Sequence, residues 1–350
     1  MVDSLPGKFR AAMRSTSRAL IYSVPRECGQ CPSCGSPSLY ELDLLPLRHP
    51  VNGYRIGFVS GCDDCGLVFS NPHPSPEELR RFYSPTGEWG SRRVGGAGNT
   101  GETGAATRGR SWSRVFDPIR EFVTMPPPDA KALDFGCGSG KLLDALQEQG
   151  WDTWGVETAV DDAFPRHHRL DVVPDTREFD LIVANHVFEH VTNPLGLLQQ
   201  FARASRIGGC LLVGVPRFDT LPIHRDYKYV INGRAHVTAY TWPCLQGLLA
   251  RTGWKPLAPP PDRISNGRGR QTYARLRVIA QRVEERVEPV PSPADAARHA
   301  VRRYHADVEG RLLFERLGLY RLAARSAEAR RRQAIRIRKS GKATAMALQQ

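Results

Sequence analysis

"ALDFGCGSGKLLDAL", residues 132–146, decides the fold of this chain. A short apolar run ends at the acid Asp134 and Phe135. Three glycines follow at alternate positions, Gly136, Gly138 and Gly140, and then Leu142, Leu143 and Leu146 recur at helical spacing, with Gly150 placed as a stop. Strand, glycine turn and helix in that order predict a nucleotide-binding unit. The glycines let the backbone approach a ligand closely, and the first amides of the helix can receive an anionic group. One such pattern is weak evidence, and it gains weight from the next strand, "WDTWGVE" (151–157), whose Glu157 falls where an acid would grip two ribose hydroxyls. The spacing reads D-x-G-x-G-x-G rather than G-x-G-x-x-G, and no lysine followed by serine or threonine closes the loop, so diphosphate cofactors fit poorly.

Further along, "FDLIVANHVFEHVTNPLGLLQQFARAS" (179–205) reads as a strand and a helix with Asn193 as N-cap and Pro194 in the first turn. "GGCLLVGVP" (208–216) is a second apolar strand. "HVTAYTWPCLQGLLARTGWKPL" (236–257) predicts a helix from Thr241 to Gly253 leading into a strand, and "ARLRVIAQRV" (274–283) predicts a last, antiparallel one. Asp134 to Gly140 and Glu157, with these later pieces, resemble the cofactor motifs of class I S-adenosylmethionine-dependent methyltransferases. The resemblance implies an α/β, Rossmann-like, seven-stranded class I methyltransferase sheet. It also implies S-adenosylmethionine held by Asp134, Gly136, Cys137, Gly138, Gly140 and Glu157, together with Asn185 and His186 after the fourth strand. The segment between Glu157 and Asp180 is short and contains Pro165, so the second helix and third strand are abbreviated. The acid beside the adenine is Asp171 or Asp175, and both remain open.

Five of the eight cysteines lie between Cys28 and Cys65, in turns such as "CPSCG" and "CDDCG", and that clustering reads as a metal site rather than disulfides. Cys31, Cys34, Cys62 and Cys65 supply four thiolates, which suit a closed, structural zinc site, with an iron-sulfur centre or free thiols as the alternatives. Cys28 with Cys31 is a rival first pair. Cys31 with Cys34 is preferred because Gly35 then matches Gly66. "YELDLLPLRHPVNGYRIGFVSG" (40–61) can fill the gap with two strands, completing a zinc-ribbon-like module. The knuckles with "CGLVFSNPHPSPEELRRFY" (65–83) resemble one branch of the superfamily, whose members act on sugars, nucleotide-linked sugars and other small molecules of glycan and natural-product pathways. The sugar C-methyltransferases of that branch carry a further C-terminal domain with no visible counterpart in this sequence.

These readings divide the chain into an N-terminal extension (1–26), a zinc-binding module (27–80), a glycine-rich linker or lid with a helix (81–125), the methyltransferase domain (126–285) and a basic helical tail (286–350). At 41% hydrophobic residues over 350 positions, the chain can bury one good core with appendages. No apolar run nears the roughly 20 residues of a membrane-spanning helix, and the N-terminus lacks an apolar signal region, so a cytoplasmic protein is expected. Residues 291–350 hold 14 Arg and Lys against 5 Asp and Glu, so nine of the chain's net +13 charges reside there. Leu313, Leu317 and Tyr320 fall on one side of a predicted helix running into "ARRRQAIRIRKS". The tail is expected either to meet an anionic partner, be it nucleic acid, a membrane surface or an acidic protein, or to remain a solvated basic helix.

The reaction implied by the resemblance is in-line displacement at a sulfonium methyl group, with a small molecule, in particular a saccharide, as acceptor. His190 and Glu189 of "FEHV" stand after the fourth strand, at the carboxyl edge of the sheet, either to move a proton or to orient the loop. His224, Tyr227, His236 and Tyr240 of the long segment after the fifth strand form an expected acceptor wall, histidine being a side chain that can change charge near neutrality. A methyltransferase of ribosomal or other RNA is the second reading, because some of these also pair an N-terminal cysteine site with a class I domain. "NHVFEH" departs from the Asn-Pro-Pro-aromatic motif of many nucleobase amino-methylating enzymes, and the cysteine module lacks a basic, aromatic surface. A non-catalytic binding protein of the same fold is the third.

Overall fold

The computed structural model describes residues 28–49, 53–84, 87, 119, 122–123, 126, 128–157, 167–219, 230–233, 235–258, 275–288 and 294–316. The expected N-terminal extension, nearly all of the glycine-rich segment (88–110 entirely), His224, Tyr227, and the tail beyond Arg316 with Leu317 and Tyr320 lie outside these residues, as does the side chain of Leu313. The chain forms two compact units: residues 20–301, and a second one composed of residues 1–19 and 302–350. Of the second, the described part, 302–316, is helical.

The larger unit holds two sheets. The first begins with β1 (Leu39–His49) and β2 (Gly53–Cys62), the antiparallel pair expected between the two knuckles, and continues through β3 (Val68–Asn71). Helix α1 (Pro76–Tyr83) follows, started by a capping box in which the Ser75 hydroxyl accepts from the Glu78 amide and the Glu78 carboxylate accepts from the Ser75 amide.

The second sheet is built from β4 (Lys131–Phe135), β5 (Asp152–Val156), β6 (His168–Leu170), β7 (Phe179–Asn185), β8 (Ser205–Pro216), β10 (Trp254–Pro256) and β11 (Arg275–Arg282). Its order is β10-β11-β8-β7-β4-β5-β6, with β11 antiparallel to both neighbours and the other pairings parallel. The predicted seven strands are all present, and β6 is cut to three residues, as the short segment before Asp180 requires. Helices α2 (Lys141–Gln147), α3 (Pro194–Ala204) and α4 (Trp242–Arg251) begin where the sequence signals place them. Asn193 caps α3 by accepting from the Gly196 amide at 2.9 Å, and Thr241 caps α4. Side chains of one strand serve both faces. Leu133 of β4 joins the cluster under α3 and α4, while Ala132 joins the one holding Leu142, Leu146 and Trp151. Burial on both faces is why these strands read as continuous apolar runs.

The cysteine segment is joined to this body rather than set apart from it. β9 (Thr238–Ala239), which follows the second sheet's β8 in the chain, pairs with β3 as the fourth strand of the first sheet. Cys31, Cys62, Cys65, Leu67 and Phe69 share one buried cluster with Leu133, Phe201 and Leu245. Two arginines add grip. Arg251 of α4 donates to the Asp64 carbonyl at 2.7 Å, and Arg298 of α5 (Ala294–Arg316) lies 3.9 Å from the Tyr40 ring centre and pairs with Asp63.

Candidate active site

Strand order reverses between β4 and β7, so the loops after β4, β5 and β7 converge on one crevice at the carboxyl edge. The loop after β4 turns through Gly136 (φ 77°), Gly138 (φ 58°) and Gly140 (φ 74°). At Gly136 a side chain is excluded twice, by the left-handed backbone and by Val187, whose Cγ2 would stand 2.6 Å from an added Cβ. The Gly138 amide donates to Glu157 Oε2 at 2.8 Å, so the loop after β4 fixes the acid at the end of β5. Asp134 is buried beneath the loop. Burial, reinforced by the nearby charge of Glu157, raises its carboxyl from 3.8 to about 7. Cys137 is buried against Leu143, so it contributes backbone to the crevice and packing to the helix.

Of the two acids left open beside the adenine position, Asp171 directly follows β6 at the carboxyl edge. Asp175 pairs with Arg203 at 3.3 Å, in the last turn of α3 and next to the start of β8, which is the opposite edge of the sheet. Of the two, Asp171 is thus the one on the edge where the crevice lies.

Beyond β7 the chain makes a sharp turn. His186 takes φ 60°, unusual for a residue with a side chain, and its amide donates to the Gly214 carbonyl of β8 at 2.6 Å. Asn185, at the end of β7, faces β8 so closely that its Oδ1 would lie 2.3 Å from a Cβ at Gly214. A short 3-10 turn, Phe188–His190, then delivers Glu189 and His190. Glu189 is only 1% exposed, and its Oε1 accepts from His186 Nδ1 at 2.9 Å. Burial alone would hold its proton on. The His186 hydrogen bond and the charges of His186, His190 and His236 more than offset burial, bringing the carboxyl from 4.5 down to about 2.

His236 reaches the same place from the other side. Asn232 Oδ1 accepts from the Ala235 and His236 amides at 2.9 and 3.0 Å, folding a tight turn that sets the His236 ring 4.9 Å from that of His190. The Val237 amide then donates to the Glu189 carbonyl at 2.8 Å, tying the two segments together. Tyr83, at the end of α1, completes the group, with its hydroxyl 2.7 Å from His190 Nδ1.

The expected site residues thus separate. Glu189, His190 and His236 come together, and Asn185 and His186 border them. Tyr240 does not belong to an acceptor wall. It is 0% exposed and its hydroxyl donates to the Phe188 carbonyl at 2.9 Å beside Thr238, so it supports the turn from below. Its place next to β9 and its bulk favour the core, and periodicity over so short a strand could not reveal that. The sequence reading missed Tyr83 and Asn232. Asn232-Gly233 is a turn signal that could have flagged the second, whereas Tyr83 depends on a contact 107 residues away along the chain.

In the cysteine segment, Sγ atoms of Cys31 and Cys65 lie 3.6 Å apart, as do those of Cys34 and Cys62. The four form a group in which every pair is within 4.8 Å, and Cys28 is not in it, its backbone being tied to the Asn71 side chain instead. The two knuckles repeat one geometry. Gly35 (φ 74°) donates to the Cys31 carbonyl at 2.9 Å and Gly66 (φ 72°) to that of Cys62 at 3.0 Å. The hydrogen bond with Cys62 raises the Cys31 thiol, that with Cys31 raises Cys65, and the one with Cys31 lowers Cys62, so these sulfurs act on one another as a single tight group. Four converging sulfurs of this kind fit a thiophilic metal ion.

Residues 107–258 match a family described as a methyltransferase domain. The ubiquinone biosynthesis O-methyltransferase of Hydrogenovibrio crunogenus is 26% identical over 169 residues, covering 44% of this chain and 63% of the relative. The protein of the same name from Aliivibrio fischeri is 27% identical over 120 residues, 29% of this chain and 49% of the relative. The chain thus spans less than two thirds of the length of these relatives. Among solved structures, the 1,6-didemethyltoxoflavin-N1-methyltransferase of Burkholderia thailandensis is 17% identical, covers 63% of this chain and 97% of that one, and has a TM-score of 0.44. An S-adenosylmethionine-dependent methyltransferase from Methanosarcina mazei is 16% identical, covers 48% and 98%, and has a TM-score of 0.37. The family match spans β4 to β10 and so takes in the glycine loop, Glu157 and the turn of Glu189 and His190.

Proposed function

We propose that this protein is an S-adenosylmethionine-dependent methyltransferase that methylates a small molecule, a saccharide or nucleotide-linked sugar in the first instance. The observation that carries the reading is the fixed pairing of Glu157 with the Gly138 amide at 2.8 Å, over a buried Asp134, within the segment that matches a methyltransferase domain. S-adenosylmethionine supplies an electrophilic methyl carbon on a sulfonium. The chain's own residues then have three tasks. Glu157 holds the ribose hydroxyls, Asp171 stands where it can meet the adenine amino group, and Asn185 and His186 line the floor between cofactor and acceptor. Alignment and exclusion of water supply much of the acceleration, because the methyl group is already activated.

Glu189, His190 and His236 form the acceptor side, where they make removal of the acceptor's proton less costly. As the acceptor oxygen's electron pair forms the bond to carbon, the carbon–sulfur pair returns to sulfur and the proton leaves on the side of this group. The named activity of the curated relatives, O-methylation in ubiquinone biosynthesis, favours an oxygen atom on a small molecule as acceptor. The saccharide class rests on the resemblance of the cysteine segment. Zinc at Cys31, Cys34, Cys62 and Cys65 is structural, because four protein ligands close the site. Among the described residues no helix is long and apolar enough to cross a membrane, in keeping with an acceptor met in the cytoplasm.

The test is transfer of label from methyl-labelled S-adenosylmethionine into an extract of cells lacking the protein, separated into saccharide, lipid, RNA and protein pools, with Glu157→Ala alongside. Label in the soluble saccharide or other small-molecule pool, lost in Glu157→Ala, is the expected result. Label confined to RNA or protein would overturn the small-molecule reading, and failure of the intact protein to bind S-adenosylmethionine would overturn the enzyme.

A further inference from the structure

The group at the end of the 3-10 turn carries more than proton chemistry. One donor atom each from Glu189, His190 and His236 lies within 4.8 Å of the other two. The His190 ring is oriented for a particular job. Its Nδ1 stands 2.8 Å from the Ala235 carbonyl oxygen and 2.7 Å from the Tyr83 hydroxyl, so this nitrogen is anchored to the protein. Its Nε2 faces Glu189 Oε1 at 4.0 Å. A ring nitrogen tied to a backbone carbonyl is the usual outer arrangement of a metal-ligating histidine, which binds through the opposite nitrogen. Glu189 shows the same layering. His186 Nδ1 secures Oε1, while Oε2, on a side chain 1% exposed, is buried with no hydrogen-bond partner among the described residues. A buried carboxylate oxygen left without a donor wants an explanation, and a cation is one.

We propose that Glu189, His190 and His236 form a second metal site, separate from the four cysteines, which takes one divalent transition cation such as Zn²⁺, Mn²⁺ or Fe²⁺. Two imidazoles and one carboxylate are a ligand set for such ions that leaves coordination positions open. Bonds of about 2 Å in tetrahedral array place ligand atoms about 3.4 Å apart, so the three donors need to draw together by roughly an ångström. Side-chain rotation of His236, on its short turn, can supply this. The role of the ion rests on the methyltransferase reading. An acceptor oxygen in an open position becomes a stronger acid, releases its proton to solvent, and forms the new oxygen–carbon bond while the carbon–sulfur pair stays on sulfur. The site therefore selects acceptors that can offer an acidic hydroxyl, or two neighbouring oxygens, to a metal.

The experiment uses the full chain with its cysteine site kept zinc-loaded and Mn²⁺ as the probe, followed by electron paramagnetic resonance and equilibrium dialysis. One Mn²⁺ per chain is expected. Glu189→Gln and His236→Gln should each weaken it by about 100-fold or more, and Cys28→Ser should leave it unchanged. No Mn²⁺ binding, or binding indifferent to both substitutions, would overturn the site and leave a metal-free histidine and carboxylate pair. Should either variant fail to fold, the intact protein answers alone: Zn²⁺ must shift the ring-nitrogen resonances of His190 and His236, and their insensitivity to Zn²⁺ would also overturn the proposal. Calorimetric binding of S-adenosylmethionine is measured in parallel. Its absence would remove the enzymatic reading without touching the metal site, and its presence beside silent histidines would remove the site alone.

Discussion

Asp134 shows how much one residue can disclose. A carboxylate in a strand of apolar neighbours, held near pKa 7 by burial and then by Glu157, is an expensive choice for folding alone. Between pH 4 and pH 7 the folded chain keeps a proton that the unfolded chain, with a value near 3.8, has given up. Stability of the ligand-free protein should therefore fall as pH rises through that window and level off above it, by at most about 4 kcal/mol. Asp134→Asn should abolish most of the slope. Thermal melts at pH 5 and pH 8 would show the wild type losing more stability than the variant, while S-adenosylmethionine binding at pH 8 weakens in the variant. Equal slopes for both proteins would place the carboxyl in a better-solvated environment than its burial indicates. The loop around Asp134 was legible in the sequence because its glycines, whose backbone needs are local, stand within a few positions of it. Tyr240 was misread for the opposite reason. Its hydroxyl is consumed by the Phe188 carbonyl 52 residues earlier, and no local pattern encodes that.

At the scale of elements, strand order and helix starts followed from apolar runs and caps, since each such signal acts over one turn or less. The joining of α1 to the acceptor group did not. The run "PEELRRFY" announces a capped helix, yet nothing in it says that Tyr83 will meet His190 at 2.7 Å or that the rings will pack edge to face at 5.6 Å. Two substitutions separate the helix from its contact. Ser75→Ala removes the cap and should lower stability by about 1 kcal/mol with little change in chemistry, as read from urea denaturation. Tyr83→Phe keeps the packing and deletes one hydrogen bond to the histidine, so turnover of the acceptor should fall about fivefold with cofactor affinity unaltered. If the fall in Tyr83→Phe appears entirely in the binding of S-adenosylmethionine, the tyrosine serves the other half of the crevice. The same contact explains why a helix so short and charged, with Leu79 as its buried residue, holds a defined position.

Across the whole of the larger unit, the cysteine segment and the acceptor group form a continuous backbone path. Cys62 ends β2, β2 pairs with β3, the Ser70 amide of β3 donates to the Val237 carbonyl at 2.9 Å, and the Val237 amide donates to the Glu189 carbonyl at 2.8 Å. The proposed cofactor side, by contrast, hangs on β4 and β5 of the other sheet. A ribbon that only stabilised an N-terminal appendage would not need to share β9 with the catalytic body. Its placement predicts that the metal acts on one half of the site. Keeping zinc from the four cysteines proposed to bind it, or Cys31→Ser with Cys62→Ser, should loosen β3 and β9 and so raise the KM for acceptor by an order of magnitude or more, while the Kd for S-adenosylmethionine shifts by no more than about twofold. Hydrogen exchange offers the structural readout, with amides of 68–71 and 237–239 expected to lose protection before those of 131–135. Unchanged acceptor kinetics in a folded, zinc-free protein would sink the link and reduce the ribbon to a support for residues 28–71. Loss of both affinities together would show instead that the shared cluster around Cys65, Phe69 and Leu133 carries the disturbance through the core to β4.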